Sequence, residues 1–184
     1  MTADLMLVIR AADFAARRHV GQRRKGAARE PYVNHLVEVA DLIADATGGR
    51  DAALVAAGLL HDTLEDTETR YEELEALFGP DIAALVSEVT DDKSLPKAER
   101  KRRQVATAAS KSERARLLKI ADKTSNLRAL AHSPPADWDL SRAAEYIDWA
   151  EQVVAGCRGL NERLERAFDA AVVDARAAIA IRAA

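Results

Sequence analysis

An apolar stretch of the chain ends abruptly in residues whose side chains could do chemistry. Residues 53–60 are almost wholly apolar, and His61, Asp62, Glu65 and Asp66 follow. If a helix continues here, His61 and Glu65 share one face, because four residues make about one turn. Asp62 and Asp66 then share the next. Close acidic pairs repel one another unless a proton or a cation resolves the conflict. The spacing therefore predicts a divalent metal at this helix end, where the macrodipole is also negative.

Polar residues interrupt apolar faces at two other places. His35 lies in an apolar pattern early in the chain, while Asp122 and Asn126 lie four apart beside the apolar face of residues 117–130. A lone histidine on such a face is more often a core residue, so the prediction depends on the combination. Two imidazoles and two carboxylates suit a borderline ion such as Mn, Fe or Zn. The predicted metal ligands are His35, His61, Asp62 and Asp122.

Helical periodicity and helix-end signals predict the elements that must position these residues. Asp51 is expected to cap the helix that leads to His61, and Pro31 to open the helix that carries His35. Thr69 and Glu72 have the spacing of a capping box. The predicted helices are 2–20, 32–46, one from Asp51, one from Thr69 to Gly79, 80–90, one from Pro96, 112–131, and helical sequence from Leu140 to the end, loosened at Gly156 or Gly159.

The composition predicts an all-α protein. Of the 184 residues, 48% are hydrophobic and only 4% aromatic, and strong helix formers dominate. The 8 glycines and 5 prolines are too few for a turn-rich β-sandwich. We expect a single helical domain over residues 1–184, at most with a helical tail. The two remaining histidines, His19 and His132, lie in basic or loop sequence and are expected at the surface.

Charge and cysteine usage exclude several classes of protein. The formal net charge of −3 does not suggest a partner nucleic acid or membrane. Cys157 is the single cysteine, so no internal disulfide can form, which fits a reducing cytoplasm. The first residues lack the order of a signal peptide, and no uncharged apolar stretch approaches the length of a membrane span. A cytoplasmic location is therefore expected.

Six segments of the chain carry a family resemblance. They resemble HD-type phosphohydrolases, within them the hydrolase domain of the RelA/SpoT family, and most closely the stand-alone small alarmone hydrolases. The resemblance covers about residues 1–168 and leaves a C-terminal helical extension. The segments are HVGQRRK…EPYVNH at 19–35, AGLLHDTLEDT at 57–67, YEELEALFG at 71–79, VTDDKSLPKAERKRRQ at 89–104, LLKIADKTSNLRAL at 117–130 and YIDWAEQVV at 146–154.

The resemblance implies a reaction and a cofactor. Members of this family hydrolyse guanosine 3′,5′-bis(diphosphate), ppGpp, or its 5′-triphosphate relative, pppGpp, and release diphosphate from the 3′ side. They usually use Mn(II), which implies one such ion per chain. A small-molecule nucleotide is thus the expected partner. The family's metal ligands match His35, His61, Asp62 and Asp122, the set also reached from the residues themselves.

The resemblance also implies roles for residues around the metal. Glu65 and Asp66 match a pair that handles the attacking water. The family's nucleotide contacts match Arg24, Lys25, Asn126, Arg128 and Tyr146, of which Arg24 and Lys25 pack on the base. Basic residues of small alarmone hydrolases match Lys97, Arg100 and Lys101. For this last segment, a phosphate contact and an exposed charged helix both stay open.

Two departures and two rival functions follow from the comparison with the family pattern. Leu36 replaces a frequent proline, which changes a helix start and no ligand. Ser125 replaces a larger aromatic or histidine, which bears on substrate fit. One rival is the 2′-phosphatase of NADPH, an activity of the family's metazoan branch. Another is a silent alarmone-binding module, against which the intact ligand set argues. No synthetase sequence follows, so we expect degradation of the alarmone and no synthesis.

Overall fold

In the computed structural model, which describes residues 2–183, the chain folds into ten α-helices and no β-strand. A 3₁₀ turn, Ala108–Ser110, follows the seventh helix, and two isolated bridges pair Arg23 with Pro31 and Gly26 with Pro135. The all-α prediction is confirmed. The helices are α1 (Thr2–Arg18), α2 (Val33–Thr47), α3 (Ala52–Leu60), α4 (Thr63–Asp66), α5 (Tyr71–Phe78), α6 (Pro80–Val89), α7 (Lys97–Thr107), α8 (Glu113–His132), α9 (Leu140–Ala155) and α10 (Glu162–Ala183).

Helix α3 lies at the centre of the molecule. Every residue from Leu54 to Leu60 is buried, and α1, α2, α6 and α8 all pack against this helix. A Cβ atom at Gly58 would lie 2.8 Å from Ile43 Cδ1 and 3.4 Å from Ala40 Cα. The missing side chain therefore allows α2 to pack closely on α3, which brings the start of α2 towards the end of α3.

Helix α8 is buried on most of its circumference. Its apolar residues, such as Leu118 and Leu127, face the core, and α2 and α10 pack on it. Helix α10 covers it with Leu164 and Phe168, both almost fully buried. Asp122 is therefore held in the middle of a helix that is packed from several sides. The predicted loosening of the C-terminal helix is confirmed as a break between α9 and α10.

Some predicted helix ends agree with the structure, such as the start of α6 at Pro80, and others differ. Asp51 caps α3 as predicted, since its side chain accepts a hydrogen bond from Leu54 N at 2.9 Å. The capping box is wrong: Arg70 precedes α5, and the hydroxyl of Thr69 bonds that of Thr67 at 2.7 Å instead. Pro31 does not open α2 either, because it pairs with Arg23 and the helix begins at Val33.

The expected continuous helix through the His-Asp pair is also wrong. Helix α3 ends at Leu60, His61 and Asp62 form a turn, and α4 is a single helical turn. The interruption is mild, because Asp66 N still donates to Asp62 O at 2.8 Å. The pair thus lies at a junction between two short helices, where side chains of both can point inward.

One predicted surface histidine is buried. The side chain of His19 is only 2% exposed, whereas His132 is exposed as predicted. The chain turns after α1 and folds its basic loop back, so that the ring of His19 stacks on Tyr32 with centroids 5.2 Å apart. Local basic sequence could not reveal this long-range packing.

The long helices of the molecule are not membrane spans. Helices α8 and α10 have 20 and 22 residues, yet none of the helices described between residues 2 and 183 is apolar enough over its length to cross a membrane. The cytoplasmic location stays a prediction.

Candidate functional site

Two histidines and two aspartates from three parts of the chain meet in one buried cluster. His35 comes from the first turn of α2, His61 and Asp62 from the junction after α3, and Asp122 from the middle of α8. Ligand atoms of the first three lie within 4.8 Å of one another, a spacing that could hold a metal ion. Asp122 Oδ1 is 3.4 Å from His35 Nε2 and 3.9 Å from His61 Nε2. The structure brings all four predicted ligands together.

Both imidazoles present the same nitrogen to the cluster. His61 Nδ1 lies 2.7 Å from Gly58 O, and a carbonyl oxygen can only accept, so this nitrogen carries the proton. His35 Nδ1 lies 2.8 Å from Ser125 Oγ. The two Nε2 atoms therefore face Asp62 Oδ2, at distances of 3.1 Å from His61 and 3.6 Å from His35. This is the orientation that a metal-ligating histidine needs.

The electrostatics of the cluster favour a cation. Burial by itself would lower the pKa of His61, but the carboxylates of Asp62 and Asp122 raise it to about 9. Burial would raise the pKa of Asp62, yet His61 and His35 hold it well below its usual range. His61 Nε2 is buried and forms no hydrogen bond of suitable geometry among the described residues, although Asp62 Oδ2 lies 3.1 Å away. A nitrogen and oxygen donor set of this kind fits a divalent metal.

Two side chains that the sequence did not single out hold the aspartates. Tyr32 donates its hydroxyl to Asp62 Oδ2 at 2.6 Å, and burial raises the pKa of this tyrosine well above its ordinary value. Lys123 donates to Asp122 Oδ2 at 2.9 Å and is buried, and together with His35 it keeps the pKa of Asp122 low against the effect of burial. Asn126 donates to Asp122 Oδ1 at 2.6 Å.

The predicted water-handling residues lie beside the cluster. Glu65 and Asp66 line a small cavity of about 160 Å³ together with His61, Asp62 and Asp122. Burial raises the pKa of Glu65. Its two carboxylate oxygens accept hydrogen bonds from neighbouring groups: Asp91 N at 3.2 Å and Arg100 Nη1 at 3.4 Å. Asp66 forms an ion pair with Lys93.

A second cavity of about 240 Å³ adjoins the first. Tyr32, Asp66 and Asn126 line both cavities, so the two spaces meet at these residues. Of the predicted nucleotide contacts, the second cavity collects four: Arg24, Lys25, Asn126 and Tyr146. Trp138 also lines it, and its ring lies 5.4 Å from that of Tyr146. Aromatic rings beside basic side chains can hold a purine base by stacking and its phosphates by charge.

Arg128, the fifth predicted nucleotide contact, lies apart from the other four. It lines a neighbouring groove of about 400 Å³ with Arg24 and His35, and its Nη1 donates to Glu38 Oε1 at 3.0 Å. Its position two residues after Asn126 turns it to another side of α8.

The basic segment of α7 faces a fourth and larger space. Lys97, Arg100 and Lys101 line a groove of about 850 Å³ with Arg142 and Tyr146. Burial and nearby cations lower the pKa values of Lys97 and Lys101. Both interpretations left open by the sequence stay open, because α7 has no buried residue, while one side of it borders Tyr146, which also lines the second cavity.

Comparison with known proteins identifies the fold of this site. A family model described as an HD domain matches residues 11–151, a range that contains all four predicted metal ligands. The chain belongs to the HD domain family. This HD domain is 47% identical over 174 residues to the guanosine-3′,5′-bis(diphosphate) 3′-pyrophosphohydrolase MESH1 of Xenopus tropicalis, a match that covers 95% of this chain and 97% of that protein.

Two further similarities cover most of this HD domain. The enzyme of the same name from Homo sapiens is 48% identical over 168 residues, which is 91% of this chain and 94% of the human protein. A solved structure described as a metazoan ortholog of SpoT that hydrolyses ppGpp superposes with a TM-score of 0.86 at 44% identity, covering 90% of this chain and 93% of the other. The predicted family and the predicted HD-domain fold are confirmed.

Proposed function

We propose that this HD domain hydrolyses ppGpp and pppGpp, releasing diphosphate and leaving a 3′ hydroxyl on the nucleotide. One observation carries the proposal. The buried His-Asp cluster opens, through Tyr32, Asp66 and Asn126, into a cavity lined by basic and aromatic side chains. Phosphate hydrolysis needs cationic groups at the phosphates and a site that activates water, and here the two adjoin. Relatives of the same length that are named for this reaction support the substrate class.

We assign the metal site to His35, His61, Asp62 and Asp122, and the metal to one Mn(II) per chain. The mixed imidazole and carboxylate donors suit this ion, and the buried Nε2 of His61, which faces Asp62 Oδ2 without forming a hydrogen bond to it, supports the fit. A divalent ion held there would supply a Lewis acid for a phosphoryl oxygen and would lower the pKa of a bound water.

Glu65 is assigned as the acceptor of the proton from the attacking water. Its raised pKa makes it a stronger base than an exposed glutamate, and Asp91 N and Arg100 hold its carboxylate in place. Asp66, on the border between the two cavities, is assigned to orient the same water. Lys123 and Tyr32 hold the two aspartate ligands while this happens.

The nucleotide is assigned to the cavity of about 240 Å³. Arg24 and Lys25 would pack on the base, and Asn126 and Tyr146 would contact the nucleotide nearer the metal. Arg128 stays a predicted contact that requires its guanidinium to leave Glu38. Lys97 and Lys101, with Arg142 from the facing helix, would take up the outer phosphates along the groove beside Tyr146. Arg100 also lines this groove, and it stays a predicted phosphate contact that requires its guanidinium to leave Glu65.

We further propose that residues 1–184 form one domain. Helix α10 lies outside the range of the family model, but Leu164, Phe168 and Ala175 are buried where it packs on α8 and α9. A helix that contributes these buried residues to the core stabilises α8, the helix that carries Asp122. The C-terminal extension is thus assigned as a structural part of the hydrolase.

A substrate panel tests the proposed function. Purified protein with Mn²⁺ is assayed for kcat/KM on ppGpp, pppGpp and NADPH, with diphosphate and phosphate measured separately. The proposal expects diphosphate release from the guanosine nucleotides at a kcat/KM well above that for NADPH. Faster release of phosphate from NADPH would favour the 2′-phosphatase instead. Tight binding of ppGpp without any product would favour a binding module.

A further inference from the structure

A buried serine connects one of the candidate metal ligands to a carboxylate. Ser125 Oγ lies 2.8 Å from His35 Nδ1 and 2.6 Å from Glu38 Oε2. The residue is fully buried. Glu38 is half-buried and also pairs with Arg128 Nη1 at 3.0 Å. These contacts form a chain of three hydrogen bonds that runs from the metal site to the protein surface.

The direction of each hydrogen bond in this chain follows from the number of protons that each group can donate. An ionised carboxylate can only accept, so Ser125 donates its single hydroxyl proton to Glu38. The serine oxygen is then an acceptor, and His35 must donate to it from Nδ1. This selects the tautomer of His35 in which Nε2 carries a lone pair, and Nε2 is the atom that faces Asp62 and Asp122.

We propose that Ser125 and Glu38 are positioning residues that fix the tautomer and ring orientation of His35 for metal binding. The inference rests on the proposed function for the identity of the ligand set. Ser125 therefore acts on the metal site, not on the fit of the substrate, which is where the resemblance alone placed its effect. Glu38 acts through the serine, and Arg128 holds the outer end of the chain. Groups that orient a metal-ligating histidine typically contribute 10- to 100-fold to metal affinity.

The first test measures Mn²⁺ affinity without nucleotide. Ser125→Ala keeps nearly the same volume but leaves the N–H of His35 without its acceptor. We expect the Kd for Mn²⁺ to rise about 10- to 100-fold. Thr124→Val is the matched control, since Thr124 is equally buried on the same helix and its hydroxyl donates only along α8, to Ile120 O. The control is expected to keep the wild-type Kd.

A second measurement reports on ligand geometry. The protein is loaded with Co²⁺ and its visible absorption spectrum recorded, because the bands depend on how the ligands surround the ion. Saturating Co²⁺ should give an altered spectrum for Ser125→Ala and an unaltered one for Thr124→Val. A wild-type Kd for Mn²⁺ together with a wild-type Co²⁺ spectrum in Ser125→Ala would overturn the proposal.

A double variant tests whether Glu38 acts through Ser125. We expect Glu38→Ala to weaken Mn²⁺ binding less than Ser125→Ala, because the serine can still accept from His35. If the two act in series, the double variant binds Mn²⁺ no more weakly than Ser125→Ala alone. Losses that multiply would contradict the series arrangement. Failure of the proposed reaction is seen separately, as a wild-type protein that binds metal and leaves ppGpp intact.

Discussion

Each candidate aspartate ligand is held by a second, buried side chain. Tyr32 bonds Asp62 and Lys123 bonds Asp122. Both donors are protonated at neutral pH, since tyrosine and lysine ordinarily have pKa values of about 10 and the pKa of each is raised further here. In Asp122 the oxygen that accepts from Lys123 is Oδ2, while Oδ1 faces both imidazoles. In Asp62 a single oxygen, Oδ2, accepts from Tyr32 and also faces both imidazoles. The orientations of the four predicted ligands are therefore restricted before an ion binds, which lowers the entropy cost of binding it.

Removing Asp62 should remove metal and activity together. Asp62→Ala takes away the carboxylate that lies 3.1 Å from His61 Nε2 and 3.6 Å from His35 Nε2, so metal content measured after dialysis should fall to a small fraction of one ion per chain. Hydrolysis of ppGpp should fall in parallel. Asp13→Ala serves as the control, because Asp13 pairs with Arg17 on the exposed side of α1. An Asp62→Ala protein with one tightly bound ion and full turnover would show that the site is misassigned.

Glu65→Gln should separate chemistry from metal binding. The amide keeps the shape and can still accept from Asp91 N, but it cannot take a proton from water. We expect full metal content and hydrolysis at least about 100-fold slower in a single turnover. Glu68→Gln, on the exposed loop nearby, should behave as wild type. If Glu65 only supported a ligand, metal affinity would fall and excess Mn²⁺ would restore the rate.

Substitution of Arg24 should weaken nucleotide binding and leave metal binding unchanged. Arg24→Ala deletes a guanidinium that lines the nucleotide-sized cavity, and we expect KM for ppGpp to rise at least about tenfold, the loss of one charged contact. Metal content should not change. Arg29→Gln, an exposed position of the same loop, controls for the loss of a positive charge. Unaltered KM and kcat in Arg24→Ala would rule this loop out as a substrate contact.

At the scale of helices, local signals predicted most elements and some of their ends. Asp51 was predicted correctly as a cap because its bond to Leu54 N spans three residues and is visible in local sequence. The break at His61 was missed because it depends on packing across helices. The role of Ser125 was missed for the same reason: sequence places the residue on α8 but does not show that Glu38 and His35 face it.

The close contact between α2 and α3 should be sensitive to a single methyl group. Gly58→Ala would bring a Cβ against Ile43 Cδ1, so we expect a loss of about 1–3 kcal/mol in the free energy of unfolding, measured by denaturant titration of metal-free protein. Gly21→Ala is the matched control, because nothing lies within 4 Å of its added Cβ. A Gly58→Ala protein as stable as the control would mean that the two helices do not approach so closely.

At the scale of the whole molecule, charge is sorted around the site in spite of a net charge of −3. Acidic residues gather at the metal cluster, while Arg24, Lys25, Lys97, Lys101 and Arg142 line the spaces leading to it. A highly anionic nucleotide would therefore be attracted to these basic side chains. Its phosphates could approach the acidic residues of the metal cluster only with a cation between them. The net charge could not predict this separation of acidic from basic side chains, since the separation depends on which helices pack together.

Composition and motif order predicted the helical class and the family, because both depend on residue types and their sequence. The same information grouped Arg128 with Asn126, whereas the structure turns Arg128 into the neighbouring groove with Glu38. Residues two apart on a helix point to different sides, so a motif match cannot decide which cavity each one lines.

Phosphorus NMR of the reaction products tests the central claim most directly. Metal-free protein is given ppGpp, spectra are recorded, and Mn²⁺ is then added to one equivalent per chain. We expect no change before the addition, followed by one diphosphate and one GDP for each ppGpp consumed. Release of inorganic phosphate instead of diphosphate, or equal turnover with a chelator present, would contradict it.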